Sequence, residues 1–322
     1  MEFVRPTFDI WEQGTTLEDM WKHIARCTRV CYQSTPKENG ETDEEFVKRV
    51  ILRPNSSTGE LNFDKIHGAM LEHGTIYLQY ECKWVGDDFV EKYKVNPYSA
   101  INYRNTDNYT PDGWKTSMFY ITANLRVIYE NNWFDDLKYI CSPTEYHAKR
   151  VTVSFTTNIG VSREFNRHRV NSIAEESTRY CNYNKCNDSQ IKICLPAWLL
   201  NEEHLPYIKS HQFDKLSSYC EEYLNDNSDV NPECWCDIDF YLFSLTVSEY
   251  CYNMLIKKGW KPQQAREVLP LATKTQLIHT AFVDDWKHFF KLRALGISGA
   301  PHPNASLVAH PLYEEFVKRG YI

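Results

Sequence analysis

The chain of 322 residues has no long apolar run, and no apolar signal core follows Met1. We therefore expect a cytoplasmic protein with no membrane partner. It also lacks any Cys-x-x-Cys pair; among 11 cysteines the closest spacings are Cys27/Cys31, Cys181/Cys186 and Cys234/Cys236. That argues against a zinc site, so no metal is expected, and the thiols read as free in a reducing compartment. Excess positive charge is missing as well, the net charge being −7. This excludes nonspecific binding to a nucleic-acid polymer, although a nucleotide needs only a locally positive pocket. Internal repeats and low-complexity tracts are absent.

What is there suffices for a large core: 42% of residues are hydrophobic and 14% aromatic, with 21 Tyr and nine Trp. This length fits one large domain or two small ones. Residues 16–33 read as a helix, with Thr15 and Glu18 as a capping box and Leu17, Met20, Ile24, Cys27 and Cys31 on one face. Residues 42–53 form a second helix, stopped by Pro54, and 63–72 a third, ended by Gly74 in a left-handed cap. Residues 75–84 alternate and predict a half-buried strand; 150–157 predict another, delivering the chain to Ser162 as a helix cap. Turn signals at Asn96-Pro97 and Thr110–Gly113, a helix over 123–130 and a short strand over 191–196 follow from composition. Helices are expected at 206–225, at 237–258 (with Phe240, Leu242, Leu245 and Tyr250 in an apolar stripe), from Pro262, and at 304–319.

One stretch runs against the acidic background. Between Arg163 and Tyr183 lie Arg163, Arg167, Arg169, Arg179 and His168, with Glu164, Glu175, Glu176, Ser177 and Thr178. Guanidinium forks bind phosphate and planar anions with two prongs, and glutamates hold the forks or accept from sugar and base donors. A helical spacing would also allow Glu164 to pair with His168. The chemistry points to a pocket for a phosphorylated ligand.

Arg167-His168-Arg169, followed after seven residues by Ser177, with Glu175 and Arg179-Tyr180 in step, resembles the signature of flavin-dependent thymidylate synthases. Ala265–Pro270 and Asp284–Arg293 resemble two further blocks of that family. The resemblance spans most of the chain and is weakest over 85–149, which reads as an insertion within a single domain of 1–322. It implies an α+β fold, a mixed or antiparallel sheet flanked by helices, and a homotetramer with sites at subunit contacts. The implied activity is a methyltransferase reaction: reductive methylation of dUMP to dTMP, with 5,10-methylenetetrahydrofolate as carbon donor and FAD, reduced by NADPH, as hydride source. By resemblance, Arg293 is the catalytic cation against the pyrimidine. Substrate contacts fall to Glu164, Arg167, Glu175, Glu176, Ser177, Thr178, Arg179 and Arg266, the last reaching across subunits. Arg167, His168, Arg169, Glu175 and His288 are assigned to the flavin.

A cation beside the imide favours the ionised uracil, which activates the ring without a cysteine nucleophile. Neither Cys181 nor Cys186 sits in the Pro-Cys-His setting of the cysteine-dependent synthases, and Cys31 reads as a buried small residue. The chain departs from the family pattern at Ala174, Phe282, Asp284 and His288, and in the segment after His73-Gly74. Two other readings stay open: a flavoenzyme modifying another pyrimidine nucleotide, and a non-catalytic nucleotide-binding protein.

Overall fold

The structure, a computed structural model, describes residues 1–322 apart from 37–39, 56–57, 59–60, 62–65, 84–85, 184–189, 202, 211–232 and 234. The chain opens with two strands that composition did not announce, β1 (Glu2–Val4) and β2 (Thr7–Trp11). Helix α1 (Leu17–Tyr32) follows. Its capping box is Thr16/Asp19, one residue beyond the expected pair: Thr16 Oγ1 accepts from Asp19 N at 3.0 Å, and Asp19 Oδ2 from Thr16 N at 3.2 Å. Met20, Ile24, Cys27 and Cys31 are buried as the spacing predicts, whereas Leu17 in the first turn is 44% exposed.

Helix α2 (Asp43–Val47) runs on into a π turn (Lys48–Leu52), so the helix expected over 42–53 is present with a loosened second half. The helix expected over 63–72 is a 3-10 helix (Gly68–His73); its expected first residues lie outside the described ones. Gly74 is not a left-handed cap, since its φ is −78°. Its role is steric: a Cβ there would stand 2.5 Å from Ile24 Cδ1.

Strand β3 (Thr75–Lys83), helix α3 (Asp88–Lys94), strands β4 (Ala100–Tyr109) and β5 (Lys115–Asn124) and helix α4 (Leu125–Asn131) come next. The three strands form an antiparallel sheet in the order β3-β5-β4. The β4–β5 hairpin closes at Gly113, whose φ of +80° glycine adopts without the steric cost of a Cβ. One core joins α1, α2, β3, β5 and α4.

Strand β6 (Arg150–Asn158), helix α5 (Ile159–Phe165) and strand β7 (Ser172–Glu175) hold the signature. The cap of α5 is Asn158, whose side chain accepts from Val161 N at 2.8 Å; Ser162 lies inside the helix and bonds Ile159 O. The chain then passes through β8 (Lys192–Cys194), α6 (His204–Ser210), α7 (Asp237–Lys257) and α8 (Pro262–Ala265). Residues 211–225 of the helix expected at 206–225 lie outside the described ones. On α7 the buried face is Ile238, Leu242, Leu245 and Tyr252, while Phe240 is 50% exposed and not part of it.

Strand β9 (Lys274–Phe282), not anticipated, is central: the four-stranded antiparallel sheet runs β2-β6-β9-β7. Helices α9 (Val283–Arg293) and α10 (Pro303–Lys318) cover this sheet. Phe155, Phe165, Trp286, Phe289 and Phe316 fill the second core. Trp286 is fully buried and donates Nε1–H to Val151 O at 3.1 Å, fixing α9 against β6. A separate parallel pair, β1-β8, completes an α+β architecture of sheets and helices.

A polar seam lies between α1 and the central sheet. His23 Nε2 meets Thr152 Oγ1 at 3.0 Å, Thr152 meets Thr280 at 2.7 Å, and Thr280 meets His73 Nδ1 at 2.8 Å. Burial lowers the pKa of His23 to about 4 and that of His73 well below its usual value. Both imidazoles are therefore neutral members of the seam.

Candidate active site

The signature is not one helix. Helix α5 ends at Phe165, Arg167–Arg169 sit in a turn, Ser172–Glu175 join the sheet, and Ser177–Tyr180 form another turn. The expected pairing of Glu164 with His168 along a helix is therefore replaced. Arg293, at the end of α9, donates from Nη1 to Glu164 Oε2 at 3.0 Å, from Nη2 to Glu164 O at 2.8 Å, and from Nε to His168 Nε2 at 3.2 Å. His168 is a neutral acceptor, because burial first, and the nearby Arg293, His288 and Arg167 second, lower its pKa to about 4. Burial also lowers the Arg293 pKa, but Glu164 opposes that shift and the guanidinium stays cationic.

This constellation lines a cavity of about 500 Å³ with Arg167, His288 and the loop running to His302. His168 and His288 face each other with ring centroids 5.7 Å apart. The guanidiniums of Arg163, Arg167 and Arg169 are exposed and take no hydrogen bond or ion pair among the described residues.

A second cavity, of about 540 Å³, opens on the other side of α5. Its polar lining includes Arg163, Glu175, Glu176, Ser177, Thr178 and Arg266. Arg266 donates from Nη1 to Thr178 Oγ1 at 3.3 Å. Arg179 stands beside it, its Nε donating to Gln263 Oε1 at 3.3 Å. Glu176 is buried, its Oε2 accepting from Lys274 Nζ at 2.7 Å and from Gln276 N at 3.2 Å, while Oε1 has no hydrogen-bond partner among the described residues. Glu175 Oε2 accepts from Asn166 Nδ2 at 3.0 Å and Oε1 from Thr275 Oγ1 at 3.2 Å.

The residues singled out from sequence thus fall into two groups. Glu164, Arg167, His168, His288 and Arg293 meet in the first cavity; Glu175, Glu176, Ser177, Thr178 and Arg266 meet in the second; Arg169 and Arg179 line neither. Lys274, Thr275 and Asn166, which set the glutamates, were missed: two lie on the unrecognised β9, and Asn166 is an uncharged residue within the signature that drew no reading.

Among the cysteines, Cys31 is buried, its thiol donates toward Met70 Sδ at 3.8 Å, and burial pushes its pKa up to about 11. A thiol so placed is a poor nucleophile. Cys181 is buried, and Cys186 lies outside the described residues. Of the departures from the family pattern, Ala174 is packed in the core beside α1, and Phe282 lies 5.5 Å from the Arg150 guanidinium. Asp284 pairs with Lys287 at 2.8 Å. No group of three metal-ligating side chains occurs among the described residues, and no described helix is long and apolar enough to cross a membrane.

Three solved structures resemble parts of the chain. The UMP/dUMP methylase PolB from Streptomyces cacaoi bound with 5-Br dUMP is 21% identical, with 52% of this chain and 67% of that one covered and a TM-score of 0.35. Bound with 5-Br UMP, the same protein gives 18% identity, coverage of 59% and 74%, and a TM-score of 0.33. Thymidylate synthase X from Helicobacter pylori with FAD and dUMP is 13% identical, with coverage of 96% and 92% and a TM-score of 0.35. No curated protein sequence matches. The family model described as thymidylate synthase complementing protein matches residues 142–319, which hold α5, β7, β9, α9 and both cavities. With just over half of the chain so matched, the protein belongs to the thymidylate synthase complementing protein family.

Proposed function

We propose that the protein is a flavin-dependent thymidylate synthase, which converts dUMP to dTMP with methylenetetrahydrofolate as carbon donor and NADPH as reductant. The observation that carries this reading is the Arg293 cavity. There a partly buried guanidinium is fixed by three hydrogen bonds beside the exposed Arg167, within the region that the family model matches. Such a cation is set for the oxygens of a pyrimidine base, and a preorganised donor on developing charge is worth about 3–4 kcal/mol. Ser177, Arg179 and Arg266 are assigned to the phosphate, with Thr178, Glu175 and Glu176 around the ribose and its boundary with the flavin.

The residues present fit FAD. Arg167 lines the Arg293 cavity as an exposed cation without a protein partner among the described residues, which suits a diphosphate; Arg169, equally exposed, lies outside that lining. His168 and His288 border the same space. Bound FAD, once reduced, supplies the hydride; the protein binds, orients and excludes water. Cys31, buried and with a raised pKa, takes no part.

The two cavities of one chain each hold half of the expected contacts. We assign their completion to a second subunit, with Arg266 of one chain serving the Arg293 cavity of another in a homotetramer. Mixing Arg266→Ala and Arg293→Ala variants should then regain turnover that neither shows alone, and an active monomer would rule the arrangement out. Residues 1–322 are taken as a single domain with 85–149 as an insertion; the sharing of one core by α1, β3, β5 and α4 supports this.

A second reading, a flavoenzyme acting on another pyrimidine nucleotide, has one observation in its favour. Ala174 and Phe282 are packed within the protein, and Asp284 is an exposed carboxylate in a surface pair with Lys287, where relatives would use polar side chains on the flavin. An anaerobic assay with FAD, NADPH, methylenetetrahydrofolate and dUMP, its products read by mass, decides between them. FAD-dependent dTMP supports the synthase. Absence of dTMP, with conversion of another pyrimidine monophosphate, supports the second reading.

A further inference from the structure

Glu164 changes what the Arg293 cavity can recognise, and it does so within the functional reading above. Arg293 spends three of its five N–H groups on protein: Nε on His168, Nη1 on the Glu164 carboxylate and Nη2 on the Glu164 carbonyl. One N–H on each terminal nitrogen has no partner among the described residues. The carboxylate likewise uses only Oε2, and Oε1 accepts no hydrogen bond among the described residues. Both side chains line the same cavity and are only partly exposed, at 16% for Arg293 and 28% for Glu164.

The cavity therefore presents a donor and an acceptor side by side. A uracil imide edge offers the complement: carbonyl oxygens that accept and an N3–H that donates. An unopposed guanidinium would favour loss of the N3 proton, because an opposite charge stabilises the anion. Here the guanidinium is compensated by a carboxylate 3.0 Å away, and an imide anion beside Glu164 Oε1 would meet a like charge with no proton between them. The other charged and titratable groups around this point are Arg167, His168, His288 and His302. Of these His168 is neutral, held so by burial and already accepting from Arg293.

We infer that Glu164 is a specificity-determining residue which makes this cavity bind the un-ionised imide, N3–H donating to the carboxylate while Arg293 donates to a ring carbonyl. The proton stays on the base in the bound state, in contrast to the ionised uracil that a lone arginine would select.

The test is the pH dependence of nucleotide affinity, measured by calorimetry on the full-length protein with dUMP and with 5-fluoro-dUMP, whose imide ionises at lower pH. The wild type should lose affinity about tenfold per pH unit above each ligand's own imide ionisation, earlier for the fluoro compound, since only the protonated form binds. Glu164→Gln replaces the carboxylate by an amide that can accept or donate. In that variant the dependence should flatten to less than about threefold per unit, and the difference between the two profiles reports Glu164 alone, the neighbouring groups being common to both. The wild-type comparison of two ligands stands even if the variant does not fold. Affinity that holds or rises as the imide ionises overturns the inference and leaves the synthase reading intact. No binding of either nucleotide at any pH overturns both.

Discussion

The two cavities on either side of α5 solve the same problem in opposite ways. In the first, the key cation is already compensated: Arg293 is held by Glu164 and a neutral His168, and the unpaired charge sits at the rim on Arg167. In the second, it is the anion that is compensated. Glu176 is buried against Lys274, and the cations are exposed: Arg163 has no ion pair among the described residues, and Arg266 has only a loose one, with Glu267 at 3.7 Å. A pre-paired cation reads shape and hydrogen bonds, whereas an open cation collects charge. This difference supports the proposed placement of the base in the first cavity and of the phosphate in the second.

The largest expected effect breaks the first cavity and the seam behind it together. His23 and His168 have pKa values lowered to about 4 and His279 to about 3, with burial the leading cause in each. Their ordinary value is 6.5, so each folded imidazole binds its proton later than the unfolded one. That stability is fully present above pH 6.5 and is lost as pH falls toward 4. Each group contributes about 1.4 kcal/mol per pH unit within that window. Urea denaturation at pH 7.5, 6 and 5 should show a fall of several kcal/mol. The carboxylates whose pKa is lowered, such as Glu81 and Glu315, lose their contribution only below that interval. A flat profile from pH 7.5 to 5 would contradict neutral burial.

The next effects separate the cavities. Lys274→Ala leaves Glu176 buried without its ion pair and should cost about 3–5 kcal/mol of stability, read as a loss of denaturation midpoint. Arg293→Ala should lower dTMP formation by about 10²–10³ while flavin stays bound, read by turnover and by flavin absorbance on the purified protein. Near-normal turnover would remove Arg293 from the chemistry. If Lys274→Ala instead left stability untouched, the second cavity would not rest on a paired anion.

Local signals were legible where local physics sets them. The alternation in β3, the glycine turn at Gly113 and the α1 stripe were readable because each depends on neighbours within a few residues. The failures share a cause in distance. β9 was missed because both of its faces are buried and both carry polar residues, Thr275 and His279 on one and Thr280 on the other. Their partners are remote, such as Asn171 on His279 at 2.9 Å and His73 on Thr280 at 2.8 Å. The signature residues were found by pattern, but not their pairing: Arg293 and Glu164 are 129 residues apart, and helical spacing had offered His168 as the nearer partner. The split into two cavities was equally invisible, since Ser162 and Arg163 face one and Glu164 the other from adjacent positions on one short helix.

The smallest effect is also the sharpest test of the contrast. Arg163 lines the second cavity as an exposed guanidinium with no hydrogen bond or ion pair among the described residues. Removing it disturbs no folded contact of that kind, so Arg163→Ala should change unfolding free energy by less than about 0.5 kcal/mol. An open cation still contributes to anion binding, and a charge-assisted contact is worth about 1.5–3 kcal/mol. Affinity for dUMP should therefore fall about tenfold or somewhat more, with a weaker dependence on salt than in the wild type. The same truncation at Arg293 would cost its hydrogen bonds to Glu164 and His168 as well. A loss of stability in Arg163→Ala as large as in Arg293→Ala would mean that the second cavity is held together by its cations, and the assignment of base and phosphate to the two cavities would lose its ground.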